Sequence, residues 1–310
     1  MGMTFEMSDL GKLTYYLGIE VHQHDKRISL TQARYAKRIL IEAGMDTCNS
    51  THIPMDMNMQ LSKSQEEKNI DEKIYRRLIG CLRYLIHTRP NLSYYVGVLS
   101  RFMHEPKTSH GDALKQILRY LQGTSSLGLI FSRDSKTSVV GYCDSSQNLD
   151  KYDGKSTAGY IFYFGDSPIT WCSQKQDTMA MSLCEAEYMK ATEAAKQAIW
   201  LHDLLSEVTG SPSKRITILL DNKLVIALTR NPVFHGRSKY IHRSYHFIRE
   251  CVEKGFIEVE HVPETEQKAD ILTKALGRIK FKEMKSFIGV QDVSESIFKL
   301  KGENVGVSLN

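Results

Sequence analysis

The run Ile216-Thr217-Ile218-Leu219-Leu220, closed by Asp221-Asn222, constrains the fold of this chain more than any other stretch. Its β-branched and apolar residues suit a buried strand. The segment Lys223 to Arg230 then follows a helical pattern. A strand that ends in a carboxylate just before a helix sets that acid at the open edge of a sheet, where ligands bind in α/β folds. Asp144 closes a second such run, Val139-Val140-Gly141-Tyr142-Cys143, while Glu187 and Asp270 stand at the starts of two further helical patterns.

The pattern around these acids predicts one sheet. Strand-like runs fall at about 129–132, 138–143, 157–164 and 168–173, and the period then switches. A long helix from Leu183 to Val208 is followed by the strand 216–220 and short and basic helices at 222–230 and 238–254. A strand at 256–260 and a last helix, Gln267 to Leu276, complete the series. A meander followed by strands alternating with helices implies an α/β fold, a mixed five-stranded sheet with flanking helices. Thr124-Ser125-Ser126-Leu127-Gly128 reads as the linker before it.

Upstream, a hairpin (13–21 and 28–30) leads to a helix, Gln32 to Ala43, capped by Thr31. A polar loop spans 46–73. Helices are expected at 71–87, 91–103 and 109–121, the first two divided by Arg89-Pro90. Residues 280–310 have weak periodicity, so 278–310 is expected to be a loosely held tail.

Helical phase separates the two acids of Glu185-Ala186-Glu187. Glu187 shares a stripe with Ala191, Ala194, Ala198, Leu201, Leu205 and Val208, whereas Glu185 is phased with Met189, Thr192 and Lys196. An acid on an apolar stripe needs a partner, so Glu187 is the ligand candidate. Taken singly, the other acids have plain explanations. Asp221 suits a helix N-cap, Asp270 a first-turn acid, and Asp144 an ordinary turn. Together, four carboxylates at sheet-end and helix-start positions make a cluster that only cations would neutralise. All-oxygen donors favour Mg²⁺, with Mn²⁺ as a substitute, and two ions would match the four charges of Asp144, Glu187, Asp221 and Asp270. That arrangement serves displacement at phosphorus.

Arg230 to Lys254 holds six Lys/Arg and three His against two acids. Arg237, Lys239, Arg243 and Arg249, with Lys223 beside Asp221, are candidate nucleic-acid-binding residues, the plain alternative being a solvated helix face. Six cysteines without a C-x-x-C pair argue against disulfides and zinc. No signal-like N-terminus and no stretch of roughly 18–20 apolar residues is seen, so no membrane partner and an intracellular location, cytoplasmic or nuclear, are expected.

Several motifs, in this order, resemble the C-terminal part of the Pol polyprotein of copia-type LTR retrotransposons. They are Tyr75-Arg76-Arg77-Leu78-Ile79-Gly80, Leu118-Arg119-Tyr120-Leu121-Gln122-Gly123-Thr124 and Lys155-Ser156-Thr157-Ala158-Gly159-Tyr160. Glu185-Ala186-Glu187-Tyr188, Asn231-Pro232-Val233-Phe234-His235-Gly236-Arg237 and Ala269-Asp270-Ile271-Leu272-Thr273-Lys274 continue the series. The resemblance implies a reverse transcriptase C-terminal remnant at 1–125 and a ribonuclease H-like domain at 126–277. The latter would cut the RNA strand of an RNA–DNA hybrid, with Asp144, Glu187, Asp221 and Asp270 as metal ligands. It also implies a partner, the missing polymerase portion of Pol, because no Asp-Asp dipeptide occurs here. The chain departs from the family at Asp144-Ser145-Ser146-Gln147, where Asp-Ala-Asp-Trp is usual, and at Lys223, where Gln is usual. His261 lies at a strand end and takes no role. The alternative reading is a catalytically inactive remnant that still binds nucleic acid.

Overall fold

Strand-forming runs and apolar helical stripes sort this chain into two sheets with helices packed on them. The computed structural model describes residues 11–294 apart from 60, 63–65, 134–137, 147–154, 177–182 and 231–238. The first half contains β1 (Tyr15–Tyr16), β2 (Ile19–Gln23), β3 (Arg27–Thr31), α1 (Ala33–Glu42), α2 (Glu72–Leu85), α3 (Ser93–Ser100) and α4 (Thr108–Gln122). Asp71 caps α2 through its side chain, accepting from the backbone of Lys73 and Ile74. Thr31 does not cap α1 as expected: it is the last residue of β3, and Gln32 takes the cap position without a side-chain bond. The expected helix 91–103 is shorter, a 3-10 turn at Pro90–Leu92 leading into α3, because proline lacks the donor for a continuous helix.

The strand expected at about 129–132 belongs to this half. It is β4 (Leu127–Ser132), hydrogen-bonded antiparallel to β3 from Thr31↔Gly128 to Arg27↔Ser132. The boundary expected at 125/126 falls in the turn between α4 and β4, and it parts β4 from the sheet it belongs to. The second sheet is built from β5 (Val139–Ser145), β6 (Thr157–Phe164), β7 (Ser167–Lys175), β8 (Ile216–Leu220) and β9 (Ile257–His261). Their spatial order is β7-β6-β5-β8-β9, antiparallel across the first three and parallel from β5 to β8 to β9. This is the mixed five-stranded sheet with flanking helices that the sequence predicts. Helices α5 (Leu183–Thr209), α6 (Lys223–Arg230) and α7 (Lys239–Glu253) pack on it. The alanines of the α5 stripe, Ala191, Ala194 and Ala198, are buried, which lets the helix lie close to the sheet.

After β9 the chain differs twice from expectation. The helix expected from Gln267 to Leu276 is a 3-10 turn, Lys268–Leu272, wedged against the sheet. Gly159 makes room for it, since a Cβ there would sit 2.7 Å from that of Leu272. Nor are residues 278–294 a loose tail. They form α8 (Arg278–Phe287) and β10 (Val290–Asp292), which pairs with β4 and closes the first sheet in the order β1-β2-β3-β4-β10. Phe281, Met284, Ile288 and Val290 are buried in the core that the first half shares with Ile161, Tyr163, Ile271 and Leu272. The spacing of Phe281, Met284 and Ile288 is helical, but the charged residues between them mask the stripe. Side-chain bonds join the halves as well: Trp171 Nε1 donates to the Ile86 carbonyl at 3.1 Å, and Arg101 to Thr157 Oγ1 at 2.8 Å.

Burying a large apolar side chain contributes about 1.5–3 kcal/mol. A chain ending at Gly277 loses four of them together with the β10 pairing. Its thermal midpoint is expected to fall by more than about 10 °C in calorimetry. An unchanged midpoint would return residues 278–294 to the status of a tail.

Candidate metal centre

Parallel pairing sets two of the acids side by side. Tyr142 is in register with Leu219, so Asp144 and Asp221 each stand two positions further along neighbouring strands. Equal offsets put them on one face of the sheet, with strands spaced about 4.8 Å apart. Asp221 is not the cap of α6. That task falls to Asn222, whose Oδ1 accepts from the backbone of Leu224 at 2.8 Å and of Val225 at 3.4 Å. Asp144 is no surface turn either, being 7 % exposed at the end of β5 with Thr273 Oγ1 donating to Oδ2.

Asp144, Glu187 and Asp221 line one cavity of about 600 Å³, together with Ser145, Ser146, Asn222, Lys223, His261, Glu264 and Lys274. Glu187 reaches it from the first turns of α5 and takes a hydrogen bond from Asn222. Burial raises all three carboxyls above their ordinary range, and the neighbouring acids add to the effect. Asp144 is pushed up to about 6, with Lys274 partly opposing, and Glu187 to about 7. Asp221 is raised as well, with Asp270 contributing.

Asp270 stands next to this group but does not line the cavity. It is 0 % exposed, and its oxygens face two ammonium groups, Lys274 Nζ at 2.9 Å from Oδ1 and Lys280 Nζ at 3.0 Å from Oδ2. The turn that carries it is pinned by Lys268, whose Nζ lies over the rings of Tyr163, Phe287 and Tyr142 at 4.1, 4.7 and 5.2 Å. Gln267 Nε2 also donates to the Cys143 carbonyl at 3.0 Å, tying the turn to β5.

Among the described residues, no three His, Cys, Asp or Glu side chains already converge on a common ion position. The donor set nevertheless fits a hard divalent cation. Three carboxylates are raised by burial that their neighbours offset only in part, every acidic donor is oxygen, and the buried Oδ1 of Asp270 is met by the Lys274 ammonium.

The basic candidates divide. Lys223 is exposed on the rim of the cavity. Arg249 points elsewhere: it is half-buried, and its Nε donates to the Leu228 carbonyl at 3.3 Å, joining α7 to the end of α6. Lys239 and Arg243 belong to α7, and Arg237 lies outside the described residues. None of the described cavity-lining residues comes from α7. His261, given no role from the sequence, ends β9 beside Leu220 and lines the cavity with Glu264. Its place follows from the register of three parallel strand ends, which no local pattern in the sequence announces. Among the described residues no helix is long and apolar enough to cross a membrane.

Comparison with known proteins adds an independent line. Residues 1–57 match the family Reverse transcriptase (RNA-dependent DNA polymerase). Over 96% of its length the chain is 39% identical to the Retrovirus-related Pol polyprotein from transposon RE1 of Arabidopsis thaliana, covering 20% of that protein. It is 34% identical over 94% of its length to the corresponding polyprotein from transposon TNT 1-94 of Nicotiana tabacum, covering 22% of it. The chain thus spans about a fifth of the length of these curated relatives. Among solved structures, RNase H1 from Halobacterium salinarum NRC-1 is similar over 44% of this chain and 94% of that one, at 19% identity and a TM-score of 0.32.

The raised carboxyls set a pH dependence. An acid whose pKa is higher folded than unfolded contributes stability below its unfolded value, lost as pH rises through the folded one. Metal-free protein is therefore expected to lose stability from about pH 4 to about pH 7, the window between ordinary carboxyls and these. In thermal melts with EDTA, the midpoint of the wild type should fall more between about pH 5 and 7.5 than that of Asp144→Asn. Equal falls would mean that Asp144 ionises as freely folded as unfolded.

Proposed function

Since the chain belongs to the family of copia-type retrovirus-related Pol polyproteins, we propose that its second sheet carries a ribonuclease H that hydrolyses the RNA strand of RNA–DNA hybrids. The observation that carries this reading is the meeting of Asp144, Glu187 and Asp221 at one cavity, with Asp270 adjoining. A substrate that repays such a concentration of acids is one that binds with cations, and a phosphodiester is the common case.

Asp144, Glu187, Asp221 and Asp270 would hold Mg²⁺, or Mn²⁺ in its place. When bound, two such ions supply charge neutralisation at the phosphate and an acidified water. The side chains perform the remaining work. Lys223 and Lys274, on the cavity wall, attract and orient a phosphate. Glu187, raised to about 7 by burial in the metal-free protein, would be drawn into its ionised form by a bound cation. His261 on the rim can pass a proton to a departing oxygen at an imidazole nitrogen. Asn222 fixes Glu187 while it caps α6, so the orientation of that acid is tied to a helix end. Selection of RNA over DNA would come from contacts to 2′-hydroxyls in the minor groove. Residues 1–57 match the reverse transcriptase family, which supports reading the first half as a polymerase remnant, and polymerisation is not assigned to this chain, which has no Asp-Asp pair.

A labelled RNA–DNA hybrid incubated with the protein and Mg²⁺ tests the reading. Cutting of the RNA strand is expected, stopped by EDTA and reduced at least about a hundredfold in Asp221→Asn. Salt-sensitive binding without cutting would support the inactive, nucleic-acid-binding remnant instead. Absence of both would remove the nucleic-acid reading altogether.

A further inference from the structure

The two lysines at Asp270 are not equivalent. Lys280 arrives from α8 and donates a hydrogen bond to Oδ2 at 3.0 Å. Lys274, four residues after Asp270, makes an ion pair with Oδ1 at 2.9 Å. Lys274 also lines the cavity, with its side chain 31% exposed, and its ammonium faces Asp144 and Glu264 as well as Asp270. The ammonium thus supplies positive charge to three of the four candidate metal ligands at once, Asp144, Asp221 and Asp270. Among the described residues it is held by these acids alone, on a flexible four-carbon stem that opens to the cavity.

We propose that Lys274 is an exchangeable counter-ion whose displacement by a polyanion couples nucleic-acid binding to divalent-cation binding. The inference rests on the reading of this cavity as a metal centre. With no substrate present, the ammonium holds Asp270 away from the cavity and competes with a cation for the acids. A phosphate entering over Lys223 and Lys274 draws the ammonium outward. Asp270 keeps Lys280 as its hydrogen-bonded partner, so the carboxylate is not left uncompensated when Lys274 leaves. The acids are then open to a cation only when the anion that needs it has arrived. By linkage, the factor by which the hybrid strengthens cation binding equals the factor by which the cation strengthens hybrid binding.

The test is calorimetric titration of Mn²⁺ into the full chain, alone and with an RNA–DNA duplex whose RNA strand is 2′-O-methylated, which reports binding without turnover. Alone, Lys274→Met and Lys274→Gln are expected to bind Mn²⁺ about tenfold tighter than the wild type. The duplex should tighten Mn²⁺ binding by about fivefold or more in the wild type and in Lys280→Met, and by less than about twofold in the Lys274 variants. Unchanged or weaker Mn²⁺ binding by both Lys274 variants, or equal tightening by the duplex in all proteins, overturns the inference. Asp221→Asn separates the two levels. If it loses Mn²⁺ while the Lys274 variants behave as wild type, the counter-ion role alone fails. If it binds Mn²⁺ as the wild type does, or if no protein binds Mn²⁺, the metal centre fails and the inference with it.

Discussion

Carboxylates gathered at the end of a sheet repel one another, and this repulsion is the constraint on which the second half of the chain depends. At an effective dielectric near 20, two unit charges 4 Å apart interact by about 4 kcal/mol. Burial first, and the neighbouring acids in addition, already raise the proton affinities of Asp144, Glu187 and Asp221, and Asp270 is covered by Lys274 and Lys280. An apolar side chain at these positions would relieve the strain at once. The acids are therefore explained by what they do with a positive charge, whether from a lysine or from an ion.

The cost of that arrangement is spread over both sheets. The turn carrying Asp270 lies against β6 because Gly159, directly across from Asp144, has no side chain. It is held by Lys268 in a cage of rings, one of which, Phe287, belongs to α8. The same helix supplies Lys280, and the chain then enters the first sheet as β10. Strand pairing with β4 thus anchors a counter-charge of the acidic cluster. The first half of the chain acts as a clamp for the second, through a shared core as well as through this return.

Much of this was legible in the sequence, for physical reasons that also explain the misses. Asp221 follows a run of five apolar and β-branched residues, and strand period alone sets it at an edge. Helical phase placed Glu187 on the alanine stripe of α5, which is buried at Ala191, Ala194 and Ala198. Long-range pairing was not legible. Nothing local in Leu127–Ser132 says that its partner is β3 rather than β5, and nothing in Val290–Asp292 says that it returns to β4. Charge counting likewise could not tell that Arg249 turns inward to Leu228 while Lys274 and Lys280 turn to Asp270. Side-chain direction depends on neighbours far away in sequence. His261 was passed over for the same reason, since its relevance comes from the register of β9 beside β8.

The central claim is that these acids surround one divalent-cation site, and its most direct test locates the ion itself. Fe²⁺ bound in place of Mg²⁺, with ascorbate and peroxide, cuts the backbone close to where it sits. Cleavage is expected at four places far apart in sequence, beside Asp144, Glu187, Asp221 and Asp270, and should be suppressed by excess Mg²⁺. Cuts elsewhere, or cuts beside these acids that excess Mg²⁺ leaves unchanged, would contradict the account.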